Sequence, residues 1–376
     1  MKKMILSGIV VFGFIIIGLV LYAVHEMGAA PTPEELKSFE KLPYFKNGRF
    51  RSPEPVRPPT AGEYEDKVNL LNLIFSKSHG PKKPAAMRRL TASSFPETPE
   101  NSAVYWLGHS AGILELNGQR IGVDLVFDNA SPVPLTVKRY QPAPIARDEL
   151  PKLDYILLTH NHYDHLERKT VRSIRNGHFI VPYGLKTALI RWGIAADRIT
   201  EIGWRDTFEQ DGLKITAVEG IHFSGRSLSD ANQTLWNSYI IETPDQKIFW
   251  GGDSGYGRHY AEIGRQFGPF DWAALEIDAW NGGWPGIHMF PDQTVQAAVD
   301  LKAKRLLPIH WGVYDLAWHD WQKSINRVVD EIRDKPIELM TPEMGEKLIP
   351  GKTKTAFWWK KIKALFNQVV DKHPSF

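Results

Sequence analysis

Histidines and an aspartate crowd one short run of this chain, His160-Asn161-His162-Tyr163-Asp164-His165. His160 and His162 are two residues apart, so on an extended segment leaving a strand both imidazoles face the same way. Asp164 and His165 follow at once, where the chain should turn into a helix near Glu167. Core histidines explain the run poorly, because burying those rings and a carboxylate without partners would cost several kcal/mol. A solvated loop is the bland alternative, and it leaves three later residues unexplained. His222, Asp253 in Gly251-Gly252-Asp253-Ser254-Gly255, and His310 in Pro308-Ile309-His310-Trp311-Gly312 each lie just beyond a candidate strand. Ligands gather at that carboxyl edge in open α/β sheets. The chain has no cysteine, which excludes thiolate ligands and leaves His, Asp and Glu to build a metal site. Zinc is the default for such a set, and iron or manganese fits the same ligands.

The elements that must position these residues read as apolar strands alternating with helices. Strands are expected at Val104 to Leu107, Ile113 to Leu116 and Ile121 to Leu125, with Asn117-Gly118 as the hairpin turn between the last two. Leu153 to Thr159 is a short buried strand running straight into the histidine run. Others are expected at Ile215 to Val218, Ser238 to Glu242, Lys247 to Gly251, Trp272 to Ile277 and Arg305 to Pro308. Helices fall at about 167–175, 184–192, 258–267, 292–302 and 320–333. This alternation predicts an α/β fold of two sheets covered by helices, with no evident internal repeat.

With these residues in place, the sequence resembles the metallo-β-lactamase superfamily, whose motif is His-X-His-X-Asp-His. Within it, the resemblance is closest to the phospholipases D that hydrolyse N-acylphosphatidylethanolamine and to their bacterial relatives. The stretches that carry it are Trp106-Leu107-Gly108-His109, Thr159 to Leu166, Gly252-Asp253-Ser254-Gly255-Tyr256, Phe267-Gly268-Pro269-Phe270-Asp271 and Ile309-His310-Trp311-Gly312, within roughly residues 100–335. The resemblance implies a four-layer αββα sandwich. It also implies one metal on His160, His162 and His222, a second on Asp164, His165 and His310, and Asp253 bridging them. His288, in His288-Met289-Phe290-Pro291, matches a family histidine placed near the substrate. His109 and Asp124 are read as residues that orient ligands through hydrogen bonds. Two features depart from the family: Asp124-Leu125 replaces an Asp-Pro pair, and Glu276 to Trp284 lacks the usual arginine-containing pattern.

Two divalent ions on such a site outweigh the charge of two aspartates and favour an anionic substrate. Metal binding can bring the pKa of water from 15.7 down to about 7. The chemistry expected is hydrolysis of a phosphodiester by metal-bound hydroxide, with Asp164, Asp253 and His288 as catalytic residues. Trp280, Trp284 and His288 are expected to touch the substrate, although some of the 13 tryptophans must fill the core. A sugar-phosphate lactonase, a nuclease and a non-catalytic metal-binding membrane protein are the rival readings. A net charge of +3 is too small to argue for nucleic acid, so none is expected as a partner. The oligomeric state stays open, with a homodimer compatible.

Lys2 and Lys3 precede an uncharged apolar run, Met4 to Val24, of the roughly 20 residues needed to cross a bilayer. An N-terminal transmembrane helix is therefore expected within residues 1–30, with the rest of the chain outside the cytoplasm. A membrane phospholipid would then reside where the enzyme is tethered. Residues 31–100 are proline-rich and read as a tether and wrapping extension, with one short helix around Gly62 to Ser76. The basic cluster Lys82, Lys83, Arg88, Arg89 reads as a solvated loop. The hydrolase domain spans 101–350. The tail 351–376 is amphipathic, with Trp358, Ile362, Leu365 and Val369 at helical spacing, suited to a membrane interface or to packing on the domain.

Overall fold

The computed structural model describes residues 2–56, 78–133 and 136–360. The expected helix around Gly62 to Ser76 and the tail beyond residue 360 lie outside them. The chain begins with α1 (Lys2–Met27) and α2 (Pro33–Phe39), followed by a small hairpin, β1 (Phe45–Lys46) and β2 (Arg49–Phe50). α1 is long and apolar enough to cross a membrane by length and composition, and its side chains from Val10 to Val24 are largely exposed. Residues 31–56 are not a free tether. Phe39, Phe45 and Phe50 form a buried cluster with Trp204, Leu235 and Trp236, because three aromatic rings close together in sequence cannot all be left in water.

Strands buried on both faces build the body of the molecule. The first sheet takes β3 (Ser102–Gly108), β4 (Ala111–Leu116), β5 (Gln119–Val123), β6 (Tyr155–Leu157), β7 (His178–Pro182) and β8 (Ile199–Ile202). The second takes β9 (Thr207–Gln210), β10 (Leu213–Val218), β11 (Ser238–Glu242), β12 (Lys247–Trp250), β13 (Trp272–Glu276), β14 (Arg305–Ile309) and β15 (Glu338–Leu339). β16 (Lys347–Leu348) returns to the edge of the first. The orders are β16-β3-β4-β5-β6-β7-β8 and β15-β14-β13-β12-β11-β10-β9. Each sheet runs antiparallel over its first pairings (β16 to β5, β9 to β12) and parallel over the rest (β5 to β8, β12 to β15). The sheets thus repeat one topology that leaves no trace as a sequence repeat.

Helices cover both outer faces. α3 (Arg168–Ser173) and α4 (Lys186–Arg191) lie on the first sheet, where Val171 and Leu189 meet Ile113, Ile156 and Phe179. α5 (Arg258–Gln266), α6 (Pro291–Asp300) and α7 (Lys323–Glu331) cover the second, contributing Ile263, Val295 and Ile325 to the main core. The architecture is the αββα sandwich. The sequence pattern does not predict strands β7, β8 and β9; β9 is mostly exposed, so no apolar pattern marks it. The tail divides at residue 360. Trp358 and Trp359 are buried in the main core, with Trp358 stacked on Trp311 at 5.4 Å, so this part packs on the domain. Lys82, Lys83, Arg88 and Arg89 are exposed, but their segment is held to the domain rather than solvated throughout: Ala85 is buried and exchanges hydrogen bonds with Gln141, and Arg88 pairs with Glu343.

Candidate metal centre

Each expected ligand lies past the carboxyl end of a strand, at one end of the sandwich. β6 leads into the histidine run, β10 to His222, β12 to Asp253 and β14 to His310. Within the run, the His162 carbonyl accepts from the backbone N–H of His165 (3.1 Å) and Leu166 (2.8 Å). This turn stops the strand and lets both halves of the run face inward. Gly252 precedes Asp253 with φ +59°, and a Cβ there would lie 2.9 Å from Thr159 Cβ, so the Asp253 turn sits directly on the β6 end.

The expected ligands converge into two groups, and a third set, Asp253, Glu276, His288 and His310, overlaps both. Ligand atoms of His160, His162, His222 and Asp253 all lie within 4.8 Å of one another. His162 Nδ1 is 2.8 Å from His160 Nε2 and 3.2 Å from His222 Nε2. In the second group, Asp164 Oδ2 lies 3.5 Å from His165 Nε2 and 3.4 Å from His310 Nε2. Asp253 Oδ2 faces both, at 3.0 Å from His310, 3.2 Å from His165, 3.7 Å from His222 and 3.8 Å from His160.

Asp124, and His109 from within the second group, fix these positions. Asp124 Oδ2 accepts from Thr159 Oγ1 (2.6 Å) and lies 2.8 Å from His165 Nδ1, which turns His165 Nε2 toward the centre. His109 Nε2 is 2.9 Å from Asp164 Oδ2, and its ring lies 4.0 Å from that of His310. His109, Asp124 and His310 all adopt positive φ (53°, 44°, 65°), a conformation that side-chain-bearing residues hold only when their surroundings impose it.

The donor chemistry fits divalent cations. His165 Nε2, Asp253 Oδ1 and His310 Nε2 are buried without a hydrogen-bond partner, a condition that calls for an explanation such as an ion. Burial holds His160 and His222 well below the ordinary imidazole range and His162 down to about 4, so their nitrogens stay neutral and free to coordinate. Burial opposes ionisation of Asp164 and Asp253, yet the facing His165 ring, joined by His310 at Asp253, keeps both carboxyls well below theirs. Burial pulls His310 down, but Asp253 and Asp164 push it up to about 10. The carboxylates thus demand positive charge at the place where metals would sit.

His288 lies at the more open side, its ring 5.2 Å from those of His222 and His310. Its Nδ1 is 2.6 Å from Glu276 Oε2. Motif and spacing suggest no role for Glu276; a carboxylate ending the apolar strand Trp272–Glu276 is the signal that could have found it. The two tryptophans separate. Trp284 is half-buried, beside Trp318 at 5.7 Å. Trp280 corrects the expectation of substrate contact. It is 4% exposed, stacks on His319 at 4.4 Å and donates to Ser324 Oγ, leaving it almost no surface for a ligand. His319 pairs with Asp278 at 3.1 Å, away from the metal ligands.

A model of the beta-lactamase superfamily domain matches residues 119–311, just over half the chain. The chain belongs to the metallo-β-lactamase superfamily. An uncharacterized protein of Mycobacterium tuberculosis is 33% identical over 331 residues, covering 85% of this chain and 88% of that one. The N-acyl-phosphatidylethanolamine-hydrolyzing phospholipase D 1 of Caenorhabditis elegans is 32% identical over 262 residues, 64% of this chain and 74% of the relative. Among solved structures, the isothiocyanate hydrolase from Delia radicum gut bacteria shares the fold, with TM-score 0.53, 19% identity, and coverage of 65% and 98%. This metallo-β-lactamase relative is a metal-dependent hydrolase, with the two residue groups at the strand ends suited to hold its metal.

Proposed function

We propose that this hydrolase cleaves a phospholipid phosphodiester at a membrane surface, holding two zinc ions on the two ligand groups. One observation carries the proposal: the membrane-length helix α1 ends beside the metal run, its Glu26 carbonyl and that of Asn161 in the run both accepting from Arg226, at 2.8 and 2.7 Å. With α1 in a bilayer, a centre beside its end would meet a lipid ester at the membrane surface. The similarity to the C. elegans phospholipase D supports the same substrate class. His160, His162 and His222 would hold one ion, Asp164, His165 and His310 the other, with Asp253 between them. Once bound, such ions supply Lewis-acid activation of water and of a phosphoryl oxygen.

The remaining work falls to the protein. Asp124 and His109 hold His165 and Asp164 in place. With Nδ1 engaged by Glu276, His288 keeps its other ring nitrogen for the phosphate or the departing oxygen. Trp284 and Phe223, which is 43% exposed and 4.5 Å from the His162 ring, offer apolar surface to acyl chains. The test is purified full-length protein with zinc, assayed on N-acylphosphatidylethanolamine, phosphatidylcholine, a sugar-phosphate lactone and RNA. Release of phosphatidic acid that disappears in Asp253→Ala is the expected result. Turnover of the lactone or RNA alone would overturn it.

A further inference from the structure

The last carbonyls of any helix lack intrahelical partners. In α1 those of Glu26 and Met27 are taken by one side chain, Arg226, whose Nη2 and Nε donate to them at 2.8 and 3.1 Å. The other edge of the same guanidinium donates through Nη1 to the carbonyls of Asn161 (2.7 Å) and Leu166 (2.9 Å). Asn161 lies inside the metal run and Leu166 directly follows it. Arg226 is 6% exposed, and its guanidinium carbon sits 3.9 Å from the centre of the Tyr163 ring. Tyr163 Oη donates to the Arg226 carbonyl at 2.6 Å, and Asn161 Oδ1 accepts from Gly225 N at 2.8 Å. Glu26 completes the assembly by binding Arg168, the first residue of α3, at 2.9 and 2.7 Å.

We infer that Arg226 is a positioning residue that joins the end of α1 to the metal run, so that the last turn of the apolar helix helps set the ligand geometry. The inference rests on the metal reading of the centre. A planar fork with five donors reaches four carbonyls of two segments, one more than the three donors of a lysine ammonium can serve. On this view α1 serves the site itself as well as attachment to a bilayer.

The experiment uses the full chain in detergent micelles, Co2+ as the probe and bis(p-nitrophenyl) phosphate as a water-soluble reporter, so lipid delivery plays no part. Arg226→Lys and Arg226→Gln should weaken Co2+ binding about 10- to 100-fold and alter its visible absorption, with much of kcat restored at saturating Co2+. Affinity within twofold of wild type and an unchanged spectrum would overturn the inference, even with a lowered melting temperature, because that pattern marks a purely structural role. Should both variants fail to fold, Tyr163→Leu, which removes the ring 3.9 Å from the guanidinium and the Oη bond to the Arg226 carbonyl, decides by the same two readouts. Wild type that binds no Co2+ would remove the metal reading too; wild-type binding with unaffected variants would remove this inference alone.

Discussion

Glu276 Oε2 and His288 Nδ1 lie 2.6 Å apart, the carboxylate fully buried and the imidazole at the open side of the metal centre. Glu276 Oε1 also accepts the backbone N–H of Ser254 (3.0 Å) and Met289 (3.1 Å). Its own carbonyl accepts from Thr294 in α6 at 2.7 Å. One residue at the end of β13 therefore ties the Asp253 turn, the His288 loop and a covering helix together.

Glu276→Gln weakens the charge-assisted link to His288 while nearly preserving shape. We expect kcat to fall about 10- to 100-fold, with metal content near that of wild type. Steady-state kinetics alongside metal analysis check both halves, and a change in the pH–rate profile should accompany the loss.

Removing metal should abolish hydrolysis and lower the melting temperature together. Without ions, Asp164 and Asp253 keep their buried charge with only protonated His165 and His310 to offset it. Zinc added back after chelation should restore both properties. Asp253→Ala removes the oxygen facing both groups, so it should retain less metal than wild type and turn over at least about 100-fold more slowly.

Two tryptophans from one loop should give opposite phenotypes. Trp280→Ala deletes a buried ring packed on Phe290 and His319 and should cost about 3–5 kcal/mol in chemical denaturation. Trp284→Ala, at a half-buried position, should cost under about 1 kcal/mol and raise KM for long-chain lipid more than for a short-chain analogue.

His259 has its Nε2 3.2 Å from Ser254 Oγ, and burial lowers its pKa from 6.5 to about 3. It is neutral in the folded chain and protonates once unfolded, so the unfolded state binds more protons between those values. Stability therefore rises with pH across this window and is lost on acidification, by up to about 1.4 kcal/mol per pH unit. Urea titrations at several pH values should show this dependence flattened in His259→Gln relative to wild type.

Much of the fold and of the centre is legible in the sequence, for local reasons. Strands such as Lys247–Trp250 and Arg305–Ile309 are apolar runs that end where a ligand follows, so strand and ligand appear together in the chain. The edge strand β9 is not legible there, since its mostly exposed residues carry little apolar pattern. Nor is the role of Glu276, which depends on His288 approaching from a separate loop.

The sequence by itself determined the candidate ligands, their order along the chain, the alternation of strands and helices and an apolar N-terminal segment of membrane-spanning length. Each of these follows from residue type and spacing over short stretches. The tertiary structure alone decided that one Asp253 oxygen faces both ligand groups, that Trp280 turns into the core and that Trp358 and Trp359 belong to it. It alone joined Arg226 to Asn161, 65 residues away, and to Glu26, 200 residues away. Such pairings arise only when separate segments are buried against one another and their backbone carbonyls must find donors.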